Sequence, residues 1–265
     1  NTLSWYGTNA TGGIASSTAP TPSASATGTT DYYVSQISAE GCESARSKIT
    51  VTVNALPAAP VVSNLTYCAG STTSALIATA LSGHTLSWYG TNATGGTASS
   101  TAPTPSSAAA GTTDYYVSQI SAQGCESARS KITVVVNALP AAPVVSSLAY
   151  CVGSTTSALS ATALTGNTLR WYGTNATGGT ASSTAPTPSS SAAGTTDFYV
   201  SQINVLGCES IRSKITVVVN ALPAAPVVSN STYCIGSTTT ALSANALSGN
   251  TLRWYGTNAT GGTAS

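Results

Sequence analysis

DYYVSQISAQGCESARSKITVVVN, residues 114–137, is the stretch that decides the fold. In its last eight residues Ile132, Val134 and Val136 fall on one face, and Thr133, Val135 and Asn137 on the other. That period of two is what a strand imposes on its side chains. An imperfect copy at residues 31–54 shows which face is expected to be buried. There Ile49, Val51 and Val53 keep the apolar series, while Thr52 stands where Val135 stands. The Ile/Val/Val face therefore belongs to the core and the other faces water. DYYVSQI is a second strand, returned by the turn SAQGC.

Working outward, a third copy fills residues 197–220, and the whole chain repeats every 83 residues without insertion or deletion. WYGTNATGG begins at Trp5, Trp88, Trp171 and Trp254, and the cysteines form two series, Cys42, Cys125, Cys208 and Cys68, Cys151, Cys234. The register divides the chain into the C-terminal part of a module (1–54), two complete modules (55–137 and 138–220) and the N-terminal part of another (221–265). Residues 1–16 match residues 250–265, so both ends are in phase, as expected of a window on a longer protein.

Each complete module opens with ALPAAPVVS, whose prolines disfavour helix and make an extended, stiff connection. TYCAG and STTSALIATAL follow, then a turn at Ser82-Gly83, then TLSWYG, where Leu86 and Trp88 alternate with Thr85 and Ser87. NATGG is a turn, and STAPTPSSAAAGTT a long irregular or edge segment interrupted by proline. No stretch holds a 3.6-residue apolar period. The expected class is all-β, with tandem immunoglobulin-like sandwiches and almost no helix. About seven short strands, a Trp on an early strand and the D-x-Y of Asp114 and Tyr116 carry that reading.

The ordered set Y-C-x-G, L-x-W-Y, the GG turn, T-A-P-T-P, D-Y-Y-V-S-Q, G-C-E-S and I-T-V-x-V-N resembles an Ig-like repeat of giant surface and gliding-motility adhesins of Bacteroidota, secreted through the type IX pathway. The resemblance covers the whole chain. It implies extracellular modules in long threads attached at the cell surface, and no known ligand.

Two regularly spaced cysteines per module point to a structural disulfide and an oxidising compartment. Zinc would want CxxC pairs or nearby histidines, and His84 is the one histidine. Cys125 lies nine residues beyond Tyr116, in the turn between the last two strands, so the central bridge of antibody domains is not expected. A peripheral staple joining Cys68 to Cys125 and Cys151 to Cys208 is expected instead. Closing such a loop contributes about 4 kcal/mol in the chain-entropy model, which matters for a small module. The rival connectivity joins modules, for example Cys42 to Cys68.

Charged residues are 6% of the chain and the net charge is +1, too little for nucleic-acid binding. With 42% apolar residues and β-branched runs, the chain is not a disordered Ser/Thr/Pro stalk. No run approaches the ~18 apolar residues of a membrane helix. Each module has one Asp (Asp31, Asp114, Asp197) and one Glu (Glu43, Glu126, Glu209) in equivalent places. Those carboxylates read as turn anchors, since general acid–base work needs two groups at a set separation. Calcium would need six to eight oxygens, and no recurrent base activates a serine. Catalytic, metal and cofactor sites are thus expected to be none.

Trp88, in phase with Leu86, is expected in the core. Tyr89, on the opposite face, is the candidate surface contact for a sugar ring, with its copies Tyr6, Tyr172 and Tyr255. Tyr115 becomes Phe198 in the next module, so its ring matters more than its hydroxyl, whereas Tyr116 and Tyr199 keep the hydroxyl of a hydrogen-bonded tyrosine corner. Asn9, Asn92, Asn175 and Asn258 open N-A-T triplets, and Asn64 and Asn230 open further sequons, but glycans are not expected at these sites, since Asn in a Gly-rich turn has its own backbone reasons. The leading expectation is a stalk that extends a distal adhesive tip, with neighbouring modules as its partners. The alternatives are weak repeated polysaccharide binding and a self-assembling filament.

Overall fold

A computed structural model describes residues 1–264, and their regular elements are all β-strands. Residues 1–54 contribute β1 (Thr2–Trp5), β2 (Gly28–Ile37) and β3 (Ser47–Val53), an antiparallel sheet in that order. The first complete module holds β4 (Val61–Val62), β5 (Leu65–Cys68), β6 (Ala78–Thr79), β7 (Thr85–Trp88), β8 (Gly111–Ile120) and β9 (Ser130–Asn137). The second repeats them as β10 (Val144–Val145), β11 (Leu148–Cys151), β12 (Ala161–Thr162), β13 (Thr168–Trp171), β14 (Gly194–Ile203) and β15 (Ser213–Asn220). The last segment has β16 (Val227–Val228) and β17 (Ala244–Asn245). The chain divides into two compact units, with the boundary between Ala138 and Leu139.

Within a complete module one sheet runs β5-β9-β8-β7, and β4 pairs with β6 in a second. β5 is parallel to β9 and the other pairings are antiparallel. The first strand segment thus serves both sheets, crossing at Ser63-Asn64. The Asn64 side chain secures the crossing by accepting the backbone N–H of Thr133 at 2.9 Å. This sheet switch is an immunoglobulin-like feature, and the sandwich read from the sequence is the observed fold.

The expected core face is the buried one. Ile132, Val134 and Val136 are 0%, 1% and 7% exposed, and they pack with Leu76, Trp88 and Val117. Leu159, Trp171, Val200, Ile215 and Val217 build the same cluster in the second module. Tyr115 packs against the first cluster and Phe198 belongs to the second, which explains why a ring suffices there. The turn at Ser82-Gly83 forms as read, closed by the His84 N–H to the Leu81 carbonyl.

The proline segment covers the sandwich without becoming a strand. Proline has no N–H to give a ladder, so its carbonyls accept instead. Pro103 takes the Leu76 N–H at 2.9 Å and Pro105 takes the Thr73 hydroxyl at 2.7 Å.

β5 and β7 pair with strands that come later in the chain, β9 and β8. In residues 221–264 TYC and TLRW form no strand, and Trp254 and Tyr255 are 40% and 42% exposed.

Candidate functional site: a tyrosine clamp on the outer face

Tyr89 follows Trp88 at the end of β7 and continues the ladder, donating its N–H to the Tyr116 carbonyl while Gly90 accepts from Tyr116. Its side chain therefore leaves on the face opposite the core. Alternation predicts exposure there, yet Tyr89 is 7% exposed, as are Tyr6 and Tyr172. The surface-contact expectation is corrected for these three. The cause is tertiary: the turn after β8 and the NATGG loop fold over the ring.

The Arg129 guanidinium carbon stacks 3.2 Å from the Tyr89 ring centroid. Its nitrogens donate to the carbonyls of Asn92 at 2.6 Å and Gly95 at 2.8 Å. The Tyr89 hydroxyl donates to Glu126 Oε1, which also accepts Ser118 Oγ at 2.5 Å. Asn92 Nδ2 donates back to the Tyr89 carbonyl at 3.0 Å. The second glycine of the loop must be glycine. Gly96 has φ +77°, and a β-carbon there would lie 2.8 Å from Asn92 Nδ2. The same clamp recurs around Tyr6 with Glu43, Ser35 and Arg46, and around Tyr172 with Glu209, Ser201 and Arg212.

The tyrosine whose hydroxyl is engaged is therefore Tyr89. Among the described residues the Tyr116 hydroxyl has no hydrogen bond, which corrects the tyrosine-corner expectation. Tyr89→Phe is expected to cost its module about 1–2 kcal/mol, the worth of a hydrogen bond to a partly solvated carboxylate. Tyr116→Phe should stay within about 0.5 kcal/mol. Urea denaturation of the two variants checks this, and equal midpoints would contradict the assignment.

The carboxylates are structural. Asp114 accepts Thr133 Oγ1 at 2.7 Å and Lys131 Nζ at 3.1 Å across β8 and β9, so it ties strands rather than a turn. Thr133 and then Lys131 hold its carboxyl below the usual range. Glu126 is lowered by Ser118, then Tyr89, with Arg129 adding to them. At Glu209 burial pushes upward, but Ser201, Tyr172, Arg170 and Arg212 outweigh it and the net shift is down. A depressed carboxyl stabilises the fold fully above its unfolded pKa, near 3.9 for Asp and 4.3 for Glu. That contribution is lost as pH falls through the lower folded values. Denaturation midpoints should be flat from about pH 7 to 5 and drop below about pH 4. A midpoint that rises on acidification from pH 5 to 3 would contradict this account.

The residue that sequence reasoning missed is Gln119, on the core face yet fully buried. Its Nε2 donates to the Ala58 carbonyl at 2.6 Å and its Oε1 accepts the Leu81 N–H at 2.7 Å. It clips the opening proline segment and the turn before β7 onto β8. Gln202 does the same with Ala141 and Leu164. A signal was present: Ser-Gln-Ile is unchanged at 35–37, 118–120 and 201–203, while the turn beyond varies from SAEG to SAQG to NVLG. Every buried side-chain nitrogen and oxygen among the described residues has a partner.

The cysteines differ from expectation. Cys68 and Cys208 are disulfide-bonded, whereas Cys125 and Cys151 carry free thiols, as do Cys42 and Cys234. The staples Cys68–Cys125 and Cys151–Cys208 are therefore not formed, nor is the rival Cys42–Cys68. No group of three metal-ligating side chains occurs among the described residues.

Residues 1–54, 57–137 and 140–220 each match the family described as "Ig-like domain CHU_C associated". The chain belongs to that family. Its three tandem matches are consistent with the Ig-like repeat of Bacteroidota surface proteins. No curated protein matches the chain. Among solved structures it is similar to Sidekick-1 immunoglobulin domains 1–4, at 18% identity over 75% of this chain and 60% of that one, TM-score 0.25. It is also similar to fibronectin(III)-like modules of Clostridium thermocellum CbhA, at 18% identity over 60% and 91% of the two chains, TM-score 0.29. A third is chicken CNTN1 FN1–FN3, at 14% identity over 72% and 76%, TM-score 0.32. The chain thus spans about three fifths of the Sidekick-1 structure.

Proposed function

We propose that the chain is a stalk region of a large extracellular repeat adhesin, a spacer that holds a distal binding tip away from the cell surface. One observation carries the reading: the chain enters and leaves a module at opposite ends of its sheet. Ala58 and Pro60 are held by Gln119 and Ser130 at one end, and Asn137 pairs with Cys68 at the other. Entry and exit at opposite ends of each module suit a spacer built by repetition. The polar residues of the clamp support a non-catalytic role, since Tyr89, Glu126 and Arg129 are bonded to one another and to their own module. The buried tyrosines argue against repeated stacking on sugars. Secretion by the type IX pathway and a part in gliding belong to the same proposal and rest on the motif resemblance.

Labelling living source cells with an antibody raised against one module tests it. Label on threads anchored to the cell surface is the expected result. Label confined to detached fibres or surrounding matrix would overturn the stalk in favour of a self-assembling polymer.

A further inference from the structure

We propose that the parallel pairing of β5 with β9 is a shear ladder, which sets how long a module holds when its two ends are pulled apart. Four register positions join the strands: Leu65 to Val134, Thr66 to Val135, Tyr67 to Val136 and Cys68 to Asn137. One further bond extends the contact at each end. Asn64 Oδ1 accepts the Thr133 N–H at 2.9 Å before the first pair, and the Ala69 N–H donates to the Asn137 carbonyl at 2.8 Å after the last. The second module repeats the arrangement between β11 and β15. There Ser147 Oγ accepts the Thr216 N–H at 3.3 Å, and the Val152 N–H donates to the Asn220 carbonyl at 2.9 Å.

Strand direction decides how this contact meets tension. β5 belongs to the segment by which the chain enters the module, and β9 is the strand by which it leaves. Tension at the entry drags β5 toward its own start, and tension at the exit drags β9 toward its end. In a parallel pair those pulls oppose each other along the strand axis, so the evenly spaced bonds are all strained together. Were the two strands antiparallel, the same pulls would meet at one end and peel the bonds apart singly. The other ties of the entry segment are smaller. β4 and β6 share two register positions, and Gln119 and Ser130 hold the Ala58 and Pro60 carbonyls by single bonds. They precede β5 in the chain and meet the tension first. The ladder is then the last tie between the entry segment and the strand that carries Ile132 and Val134.

Resistance of this kind is kinetic, because forced unfolding follows the rate of opening and not the equilibrium stability. A bond that must break before the sheet opens slows the opening, whereas a bond that breaks afterwards adds to stability alone. The tyrosine clamp, which ties β7 to the turn after β8, lies off the path. The use made of the ladder rests on the stalk reading, since tension reaches a module only between an anchor and a tip. The two fail separately: pulling can refute the ladder while labelling upholds the stalk.

The test is single-molecule pulling of the full chain at constant force, with dithiothreitol present so that no disulfide limits the release. Each complete module should open in one step of at most about 270–300 Å, 83 residues at roughly 3.3–3.6 Å each. Ala69→Pro removes one ladder donor at a position that suits proline. Ser71 donates to the Cys68 carbonyl at 3.1 Å across Ala69 and Gly70, and Gly70 has φ +76°, as in a turn with proline at its second position. The dwell time of one of the two steps should shorten about fivefold, the loss of one hydrogen bond from the barrier. Adding Val152→Pro should shorten both. Ala69→Gly keeps the N–H and should keep the dwell time, as should Tyr89→Phe, even though the latter lowers the urea midpoint. Unchanged dwell times in Ala69→Pro would overturn the proposal. An equal shortening in Tyr89→Phe would overturn it too, since opening would then follow stability alone. Should the proline variant not fold, Asn64→Ala decides: it removes the acceptor at the other end of the ladder, on an exposed residue, and should shorten the same step.

Discussion

Gln119→Leu is expected to lower the stability of its module by about 2 kcal/mol, through two backbone groups rather than through the glutamine itself. Leucine fills similar space and is apolar, so no cavity or buried charge arises. What it removes are the partners of the Ala58 carbonyl and the Leu81 N–H. A polar group left without a partner costs about 1–3 kcal/mol when buried, and because Ala58 and Leu81 are exposed residues, where water can replace part of the loss, each of the two groups contributes nearer the lower end. The gain from burying an apolar side chain offsets part of the loss. For a domain of this size the shift in Tm is roughly 8–16 °C, at 4–8 °C per kcal/mol. Gln123→Leu, in the exposed turn, should change stability by less than about 0.5 kcal/mol. Thermal unfolding of the full chain checks both, with the untouched second module as internal reference. A Gln119→Leu melt matching that of Gln123→Leu would show that the clip contributes nothing.

Trp88→Ala should be costlier still, about 3–5 kcal/mol. Trp88 is 3% exposed and packs with Leu76, Val117, Ile132 and Val134, so the cavity opens in the middle of the cluster. A small module has few other apolar side chains to close over the gap. Against the ~5–15 kcal/mol of a typical domain, such a loss brings the module near the edge of folding. Two unfolding steps are expected, with residues 55–137 melting well before 138–220. Tryptophan fluorescence during denaturation separates the steps, and one unchanged transition for Trp88→Ala would refute the assignment of the core.

Much of the fold was legible because the information is local and repeated. Alternation in SKITVVVN, together with Thr52 against Val135, identified the buried face, and Trp88 followed from its phase with Leu86. Three places were not legible in this way. Tyr89 has the phase of an exposed residue, and only the return of Arg129 over its ring buries it. Gln119 sits in a strand face that reads as a polar interruption, and its partners lie 61 and 38 residues away. The cysteines share one module in sequence and opposite poles in space, because β5 runs parallel to β9 and ends far from the turn after β8.

The sequence by itself therefore determined the 83-residue repeat, the all-β class, the core face and the central tryptophan. Each follows from side-chain order along a single strand or from direct repetition. Tertiary structure alone decided that the WYG tyrosine is clamped rather than displayed, that a glutamine secures the first segment, and that the cysteines of a module cannot pair. Those outcomes depend on which loop closes over a face and at which end of the sheet a residue lies. Strand pairing between distant segments sets both, and the periodicity of one segment carries no record of it.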